Sequence, residues 1–468
     1  MPFTLLGYYL IPNNYKNYWL LLTSLIFFAW GGVSYTIILI ISIVLNYFFG
    51  IKIQNNINTT KGYSWLIFGV SVNLLLLGVF KYANFMSINI NWLLDVFSIP
   101  NIRVLNILLP IGISFYTFHS LSYLVDIYRQ KARAQRNIFD VSLYICMFSQ
   151  LIAGPIIRYS DVWQQLRERT HSLAKFSSGI ERFLIGLGKK VLLANLFAKV
   201  ADDMFGSDVL NLSAINAWMG IICYSLQIYL DFSGYSDMAI GLGRMFGFEF
   251  LENFNFPYIS KSIKEFWRRW HISLSSFFRD YVYIPLGGNQ VKVGRIYLNL
   301  LIVFFLTGFW HGANWTFVFW GLFHGFFIVI ERLGLQNFLN KIWKPLTNIY
   351  CILVVMFGWV LFRSETLNDA LSYWKAMFNF NLTNQQNALF LDHIDIELGI
   401  GFILALLGIF GIYQYLLKFI STYLTNLNSK LLSYFYYLFS AIFYALILIA
   451  CSIYLMAGNY NPFIYYRF

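Results

Sequence analysis

The chain has 468 residues, of which 59% are hydrophobic, 20% aromatic and only 12% charged. That charge content is about half of the ~25% found in soluble domains. It excludes a disordered chain, a collagen and a disulfide-stapled module, and it leaves too few charges for the polar faces of a water-soluble enzyme. The expected class is an all-α, polytopic protein of the lipid bilayer. Lys plus Arg (33) exceed Asp plus Glu (21) by 12. These basic residues cluster between apolar runs, as they do in loops facing anionic cytoplasmic lipid, so nucleic acid is not invoked as a partner. An acidic cytoplasmic substrate is a second reason for such clusters. Cys146, Cys223, Cys351 and Cys451 sit singly in apolar context. With no C-x-x-C pair they suggest neither a disulfide framework nor a metal site, and they read as small core residues.

Taken in chain order, Phe3–Leu10 is apolar but too short to span, and it lacks the basic start of a signal peptide. It reads as the end of a first helix whose beginning lies outside this numbering. Asn17–Ile51 is free of charge for 35 residues, interrupted by Gly31-Gly32, which is room for two spans and a tight turn. Gly62–Phe80, Val104–Val125 and Val209–Leu230 are single-span windows. Val141–Ile157 is short, contains Gly154-Pro155 and has basic residues on both sides, the pattern of a re-entrant or broken helix. Ile296–Ile330 is again 35 residues long, and Pro345–Phe362 and Leu398–Leu417 are one span each. Leu431–Tyr466 holds a span and a tail with Gly458 and Pro462. The total is roughly nine to eleven transmembrane helices, with re-entrant and interfacial helices between them. Basic clusters lie at Arg129/Lys131/Arg133/Arg136, Arg158/Arg167/Arg169, Lys189/Lys190 and Lys261/Lys264/Arg268/Arg269. No internal repeat, low-complexity segment or long linker divides the chain, so residues 1–468 read as one domain.

Three segments are not simple spans. In Tyr258–Asn289 the apolar residues Ile263, Phe266, Trp267, Trp270, Leu274, Phe277 and Phe278 fall on one face of a helix. Lys264, Arg268 and Arg269 lie off that face, so this is expected to be one amphipathic helix that lies in the interface or caps an intramembrane cavity rather than spanning. His271 falls at the edge of the apolar stripe and points inward or anchors the helix. The basic trio is positioned to hold an anionic cofactor by charge-assisted contacts, or equally to meet anionic lipid. In Leu306–Trp315, His311 sits inside a charge-free window. An ionisable residue in a span marks a functional site, and an imidazole titrating near neutrality suits a base. Gly308 and Gly312 leave room for another backbone or an extended substrate. If Gly308–Asn314 is instead a turn between spans, His311 lies near a surface and the argument from burial weakens. His324 has the same setting and is expected to be a structural, hydrogen-bonding histidine. In Leu226–Gly241, Asp231 and Asp237 are six residues apart, on different faces of a regular helix. Asp231 orients a polar partner or relays a proton, or else both residues sit at a helix end near water. His119 lies in an uncharged window and is placed to line the same cavity; His171 and His393 lie in polar stretches and read as solvated.

These stretches together resemble one known family, the membrane-bound O-acyltransferases, in the branch of alginate and peptidoglycan O-acetylation. The resemblance spans essentially the whole chain. It rests on Leu109–Phe118, Gln150–Tyr159, Asp231–Gly241, Glu265–Ser275, Arg279–Asn289 and Trp310–Ala313. Its most specific part is the pairing of Trp267-Arg268-Arg269-Trp270-His271 with Trp310-His311-Gly312, histidine to histidine 40 residues apart. The resemblance implies a funnel of transmembrane helices around a pore-like site, with His311 as base and His271 as accessory histidine. It implies no bound cofactor but an acyl thioester, acetyl-CoA, as donor substrate. The acetyl group then crosses to an extracytoplasmic polysaccharide, an alginate-like exopolysaccharide or peptidoglycan. A periplasmic or extracellular acetyltransferase of SGNH type is the implied partner, and the cytoplasmic (inner) membrane of a bacterium the implied location. Asp231, Asn314 and His324 are possible supporting residues. A D-alanyl transferase acting on teichoic acid shares both histidines, although Tyr283–Asn289 looks closer to the acetyltransferase branch. A transporter or flippase without acyl chemistry, and a scaffold for the secreted enzyme, are the alternatives from other classes.

Overall fold

In the computed structural model, every regular element among the described residues is helical. The structure describes residues 1–151, 154–208, 212–380, 391–412, 415, 419, 422 and 430–458. The expected tail around Pro462 and the first residues of the Val209–Leu230 window lie outside these. Among the described residues six helices are long and apolar enough to cross a bilayer: Val33–Asn55, Thr60–Val96, Val293–His311, Trp315–Leu339, Lys344–Arg363 and Tyr434–Ala457. Ile396–Ile409 is a shorter apolar helix. The chain divides into two compact units, residues 1–180 with 239–251 and residues 181–238 with 252–468.

The first unit opens with the helix Pro2–Leu10, followed by Lys16–Trp30 and Val33–Asn55. The turn between the last two falls at Gly31-Gly32, where Gly32 takes a φ of 148° that side chains resist. Inside the bundle Asn46 and Asn73 exchange amide hydrogen bonds of 3.0 and 2.8 Å between neighbouring helices, polar glue where lipid offers no partner. The Val104–Val125 window is not one span. Its first part has no regular secondary structure, and the helix begins only at Ile113 and runs to Tyr128. Backbone outside regular secondary structure still needs partners for its polar groups. Asn84 supplies both bonds to Ile107 (N–H 3.0 Å, C=O 2.8 Å), and Asn91 does the same for Ile102 (2.9 and 3.0 Å). The expected broken helix is present: Ile138–Cys146 stops at Met147 and a short turn, Phe148–Leu151, follows.

The second unit is built on a core of large aromatics, with Phe266, Trp320 and Trp359 almost fully buried. The helix Ala214–Met245 is unbroken through Ser233-Gly234. Asp231 and Asp237 are therefore mid-helix and buried, not helix-end residues near water. They do lie on different faces, and different cations meet them. The segment Lys189–Ala194 is a π-helical turn, whose wider winding turns two consecutive lysines inward. Lys189 Nζ lies 2.6 Å from Asp237 and Lys190 Nζ lies 2.8 Å from Asp231. Arg182 joins Asp237 at 2.6 Å. Gly186 and Gly234 allow this approach, since a Cβ on either would press on the other's carbonyl oxygen. The Lys189/Lys190 cluster is thus one half-buried and one buried ion pair on a helical turn rather than a loop facing lipid.

Candidate active site

The first element of the site is a helical hairpin. Val293–His311 and Trp315–Ile330 are joined by Gly312-Ala313-Asn314, so the charge-free window does contain a turn. A Cβ on Gly308 would collide with the Phe317 carbonyl oxygen, and one on Gly321 with that of Phe304. The room left by Gly308 is filled by the returning helix, not by substrate. Asn314 caps that helix through the Thr316 amide (3.1 Å), and its own amide donates to the Glu365 carbonyl (2.8 Å). This support makes Asn314 a structural cap. His311 ends the first helix and, although it adjoins a turn, is only 6% exposed. Its ring meets Trp310 (4.8 Å between centroids), Trp320 (5.0 Å) and Phe362 (5.2 Å).

The second element departs from the sequence expectation. The amphipathic segment is two short helices, Ile263–Arg269 and Ile272–Phe278, broken at Trp270-His271. All seven apolar residues of the expected stripe are buried, so the face is right and the continuity is not. The break comes from His271, whose φ of 44° is left-handed, a strained conformation for a non-glycine residue. Asn253 holds it there. Its Oδ1 accepts from the Ser273 amide (3.2 Å) and hydroxyl (2.9 Å), and lies 3.1 Å from His271 Nδ1. The Ile272 amide donates to the Asn253 carbonyl (2.9 Å), and Asn253 Nδ2 donates to Ser236 (3.0 Å). A backbone amide can only donate, so the Asn253 atom facing it is oxygen; that oxygen assigns the proton to Nδ1 of His271. The lone pair is left on Nε2, which has no hydrogen-bond partner among the described residues. Sequence reasoning missed Asn253. The Glu252-Asn253-Phe254-Asn255 stretch carries no spacing signal that points to a histidine 18 residues later.

The two elements meet at aromatic rings. His271 lies edge-on to Phe232 (4.6 Å) and 6.3 Å from Trp310. Trp320 lies between His311 (5.0 Å) and His324 (5.3 Å), and Trp267 also packs on His324 (5.1 Å). His271, His311 and His324 therefore share one buried aromatic cluster. His324 is fully buried, and neither ring nitrogen has a hydrogen-bond partner among the described residues. Tryptophan rings pack on it in T-shaped contacts, and Gly358 clears space for it, since a Cβ there would stand 2.6 Å from its Nε2.

The basic trio is arranged around the first short helix. Lys264 and Arg268 are exposed. Arg269 is tied to Glu265 (2.9 Å) and to the Asn255 carbonyl (3.1 Å). The helix N-terminus, where an anion would bind, is occupied by Glu331, which accepts from the Ile263 (2.6 Å) and Lys264 (3.0 Å) amides. His119 belongs to the first unit, fully buried against Tyr144. His171 and His393 are bonded rather than simply solvated, to Tyr8 (2.8 Å) and Asp203 (3.3 Å) respectively. No group of three His, Cys, Asp or Glu residues among the described ones is placed to hold a metal.

The fold defines an all-α, multi-pass membrane protein with buried histidines on a helical hairpin and on a broken helix. Residues 56–368 match the model of the MBOAT, membrane-bound O-acyltransferase family, and the chain belongs to that family as an O-acyltransferase. It is 47% identical over 382 residues to a probable alginate O-acetylase of Azotobacter vinelandii, covering 81% of this chain and 76% of that one. Its identity to the probable alginate O-acetylase of Pseudomonas aeruginosa is 45%, covering 81% and 73%. A peptidoglycan O-acetyltransferase of Helicobacter pylori is 38% identical, covering 81% and 78%.

Proposed function

We propose that this protein takes acetyl groups from acetyl-CoA at the cytoplasmic face of a bacterial inner membrane and passes them outward. They are destined for O-acetylation of an extracytoplasmic polysaccharide, an alginate-like exopolysaccharide or peptidoglycan. The likeness to alginate and peptidoglycan O-acetylating proteins supports the substrate class. A secreted acetyltransferase of SGNH type is the proposed partner that completes delivery.

The observation that carries the reading is that two buried imidazoles, His271 and His311, pack against the same ring, Trp310. In the proposed reaction His311 takes the proton of the acceptor hydroxyl. The hydroxyl oxygen attacks the thioester carbonyl carbon, the C–S bond breaks, and the proton passes to the leaving sulfur. His271 presents the Nε2 lone pair of a fixed tautomer to the same chemistry. The aromatic walls exclude water that would otherwise hydrolyse the thioester. Asp231 is held by Lys190 and serves the framework.

The test is His311→Ala expressed at normal membrane levels in a strain lacking the gene. Acetate released by mild base from isolated exopolysaccharide and wall should fall to the deletion background. Retained acetylation would overturn the assignment of His311. Acetyl transfer from labelled acetyl-CoA by the purified protein tests the donor separately.

A further inference from the structure

The first unit carries a polar cavity away from the residues assigned to acyl transfer in the chain, all of its lining falling within residues 54–168. Its volume is about 920 Å³, within the range of small-molecule sites. Arg133, Arg136 and Arg167 line it, together with Gln164, Trp163 and a single acidic residue, Glu168. None of the three arginines has a carboxylate partner among the described residues. Neighbouring arginines are committed elsewhere: Arg158 binds Asp161 at 2.9 Å, and Arg169 bonds Tyr8 (3.0 Å) and the Phe246 carbonyl (3.1 Å).

The wall that presents these arginines is prebuilt. Tyr47 donates to the Arg136 carbonyl (2.8 Å) and Tyr159 to the Arg133 carbonyl (2.6 Å). The Ala134 amide donates to Gln54 (3.1 Å), and Gln135 donates to the Trp163 carbonyl (3.3 Å). Both carbonyls are thus used up in holding the loop, and the exposed guanidinium groups are left at the cavity. A planar guanidinium forms paired bonds to phosphate oxygens.

The same end of the unit carries four further cations, whereas Lys81 lies toward the other end, bonded to Ser114 (3.2 Å). Lys52 ends one helix, Lys61 begins the next, and Arg129 and Lys131 follow the helix Ile113–Tyr128. The opposite end has the uncharged Gly31-Gly32 turn and, across residues 97–112, Arg103 as its one basic residue. The positive-inside rule sets the cavity on the cytoplasmic side.

We infer that this cavity is a binding site for a phosphate-bearing anion at the cytoplasmic surface, recognised by Arg133, Arg136 and Arg167. Two sources offer that chemistry: the headgroup of an anionic phospholipid, and a soluble nucleotide diphosphate. The inference stands apart from the identity of the acyl donor.

The experiment uses full-length protein, wild type and Arg133→Gln/Arg136→Gln/Arg167→Gln, in nanodiscs of phosphatidylcholine with or without phosphatidylglycerol. Adenosine diphosphate is titrated calorimetrically, and retained phosphatidylglycerol is read by native mass spectrometry. The expected result is at least tenfold weaker binding of one probe by the triple variant, with Arg103→Gln unchanged. Loss of adenosine diphosphate binding assigns the soluble source. Loss of phosphatidylglycerol retention without nucleotide binding assigns the headgroup. Equal behaviour of wild type and variant towards both probes, or no binding of either by wild type, overturns the inference. Should the triple glutamine variant not fold, the triple lysine variant, which keeps the charge and loses the fork, is held to the same criteria.

Discussion

Asn253 Oδ1 lies 3.1 Å from His271 Nδ1 and also accepts from the amide and hydroxyl of Ser273. One oxygen therefore sets the backbone break, the ring orientation and the tautomer of His271. Asn253→Leu is expected to lower acetylation at least tenfold. It also leaves the Ser273 donors unsatisfied, at about 1–3 kcal/mol for each buried group. Asn253→Asp keeps the acceptor and should recover protein levels. A carboxylate beside Nδ1 favours imidazolium, so a reaction that needs the Nε2 lone pair should lose its acid limb at higher pH. Activity measured across pH 5–8 decides, and an unshifted profile would remove Nε2 from the reaction.

Gly308 and Gly321 set the depth at which the histidine hairpin closes. Gly308→Leu is expected to force the helices apart, at a cost above the ~1–3 kcal/mol of ordinary overpacking, because the obstacle is a carbonyl oxygen. The matched control is Gly294→Ala, where a Cβ meets nothing within 4 Å; it should be neutral or stabilising by up to ~1 kcal/mol. Thermal unfolding in detergent compares them, and equal melting temperatures would contradict the close crossing.

The Lys190–Asp231 pair is almost fully buried, at 4% and 2% exposure. Lys190→Met strands the carboxylate and is expected to cost about 3–5 kcal/mol. Lys190→Met/Asp231→Leu should regain most of that stability. If the pair is only framework, the double variant will also retain acetylation. A folded but inactive double variant would instead place Asp231 in the proton path.

Asn314 lies three residues beyond His311 and caps the returning helix. Asn314→Ala is expected to cost about 0.5–2 kcal/mol, and Asn314→Asp to restore most of it, since a carboxylate caps as well as an amide oxygen. Melting temperatures of the two variants check the cap. Asn314→Asp still loses the 2.8 Å bond to the Glu365 carbonyl, so incomplete recovery measures that contact.

Periodicity was legible wherever one face of a helix is buried. The stripe from Ile263 to Phe278 was read residue by residue, because helical spacing is a local property. The break at His271 was not legible, because it depends on an asparagine 18 residues earlier in the chain. The aromatic surroundings of His324 were not legible either. Hydropathy shows that a histidine is buried, but not that its neighbours are the rings of Trp267 and Trp320. The same limit applied to Lys189 and Lys190, whose positive charge looked like a lipid-facing cluster until the π-helical turn brought them to Asp237 and Asp231.

The sequence by itself determined the class, long apolar helices such as Val33–Asn55 and Lys344–Arg363, and the two histidines that stand out from apolar surroundings. Lipid offers no hydrogen bonds, so it forces helices and long charge-free runs that any reader of the chain can find. Tertiary structure alone decided which nitrogen of His271 carries the lone pair, that His271 and His311 share Trp310, and which cations are consumed in ion pairs and which remain at a cavity. Those outcomes turn on contacts between residues far apart in the chain, whose distances no local pattern encodes.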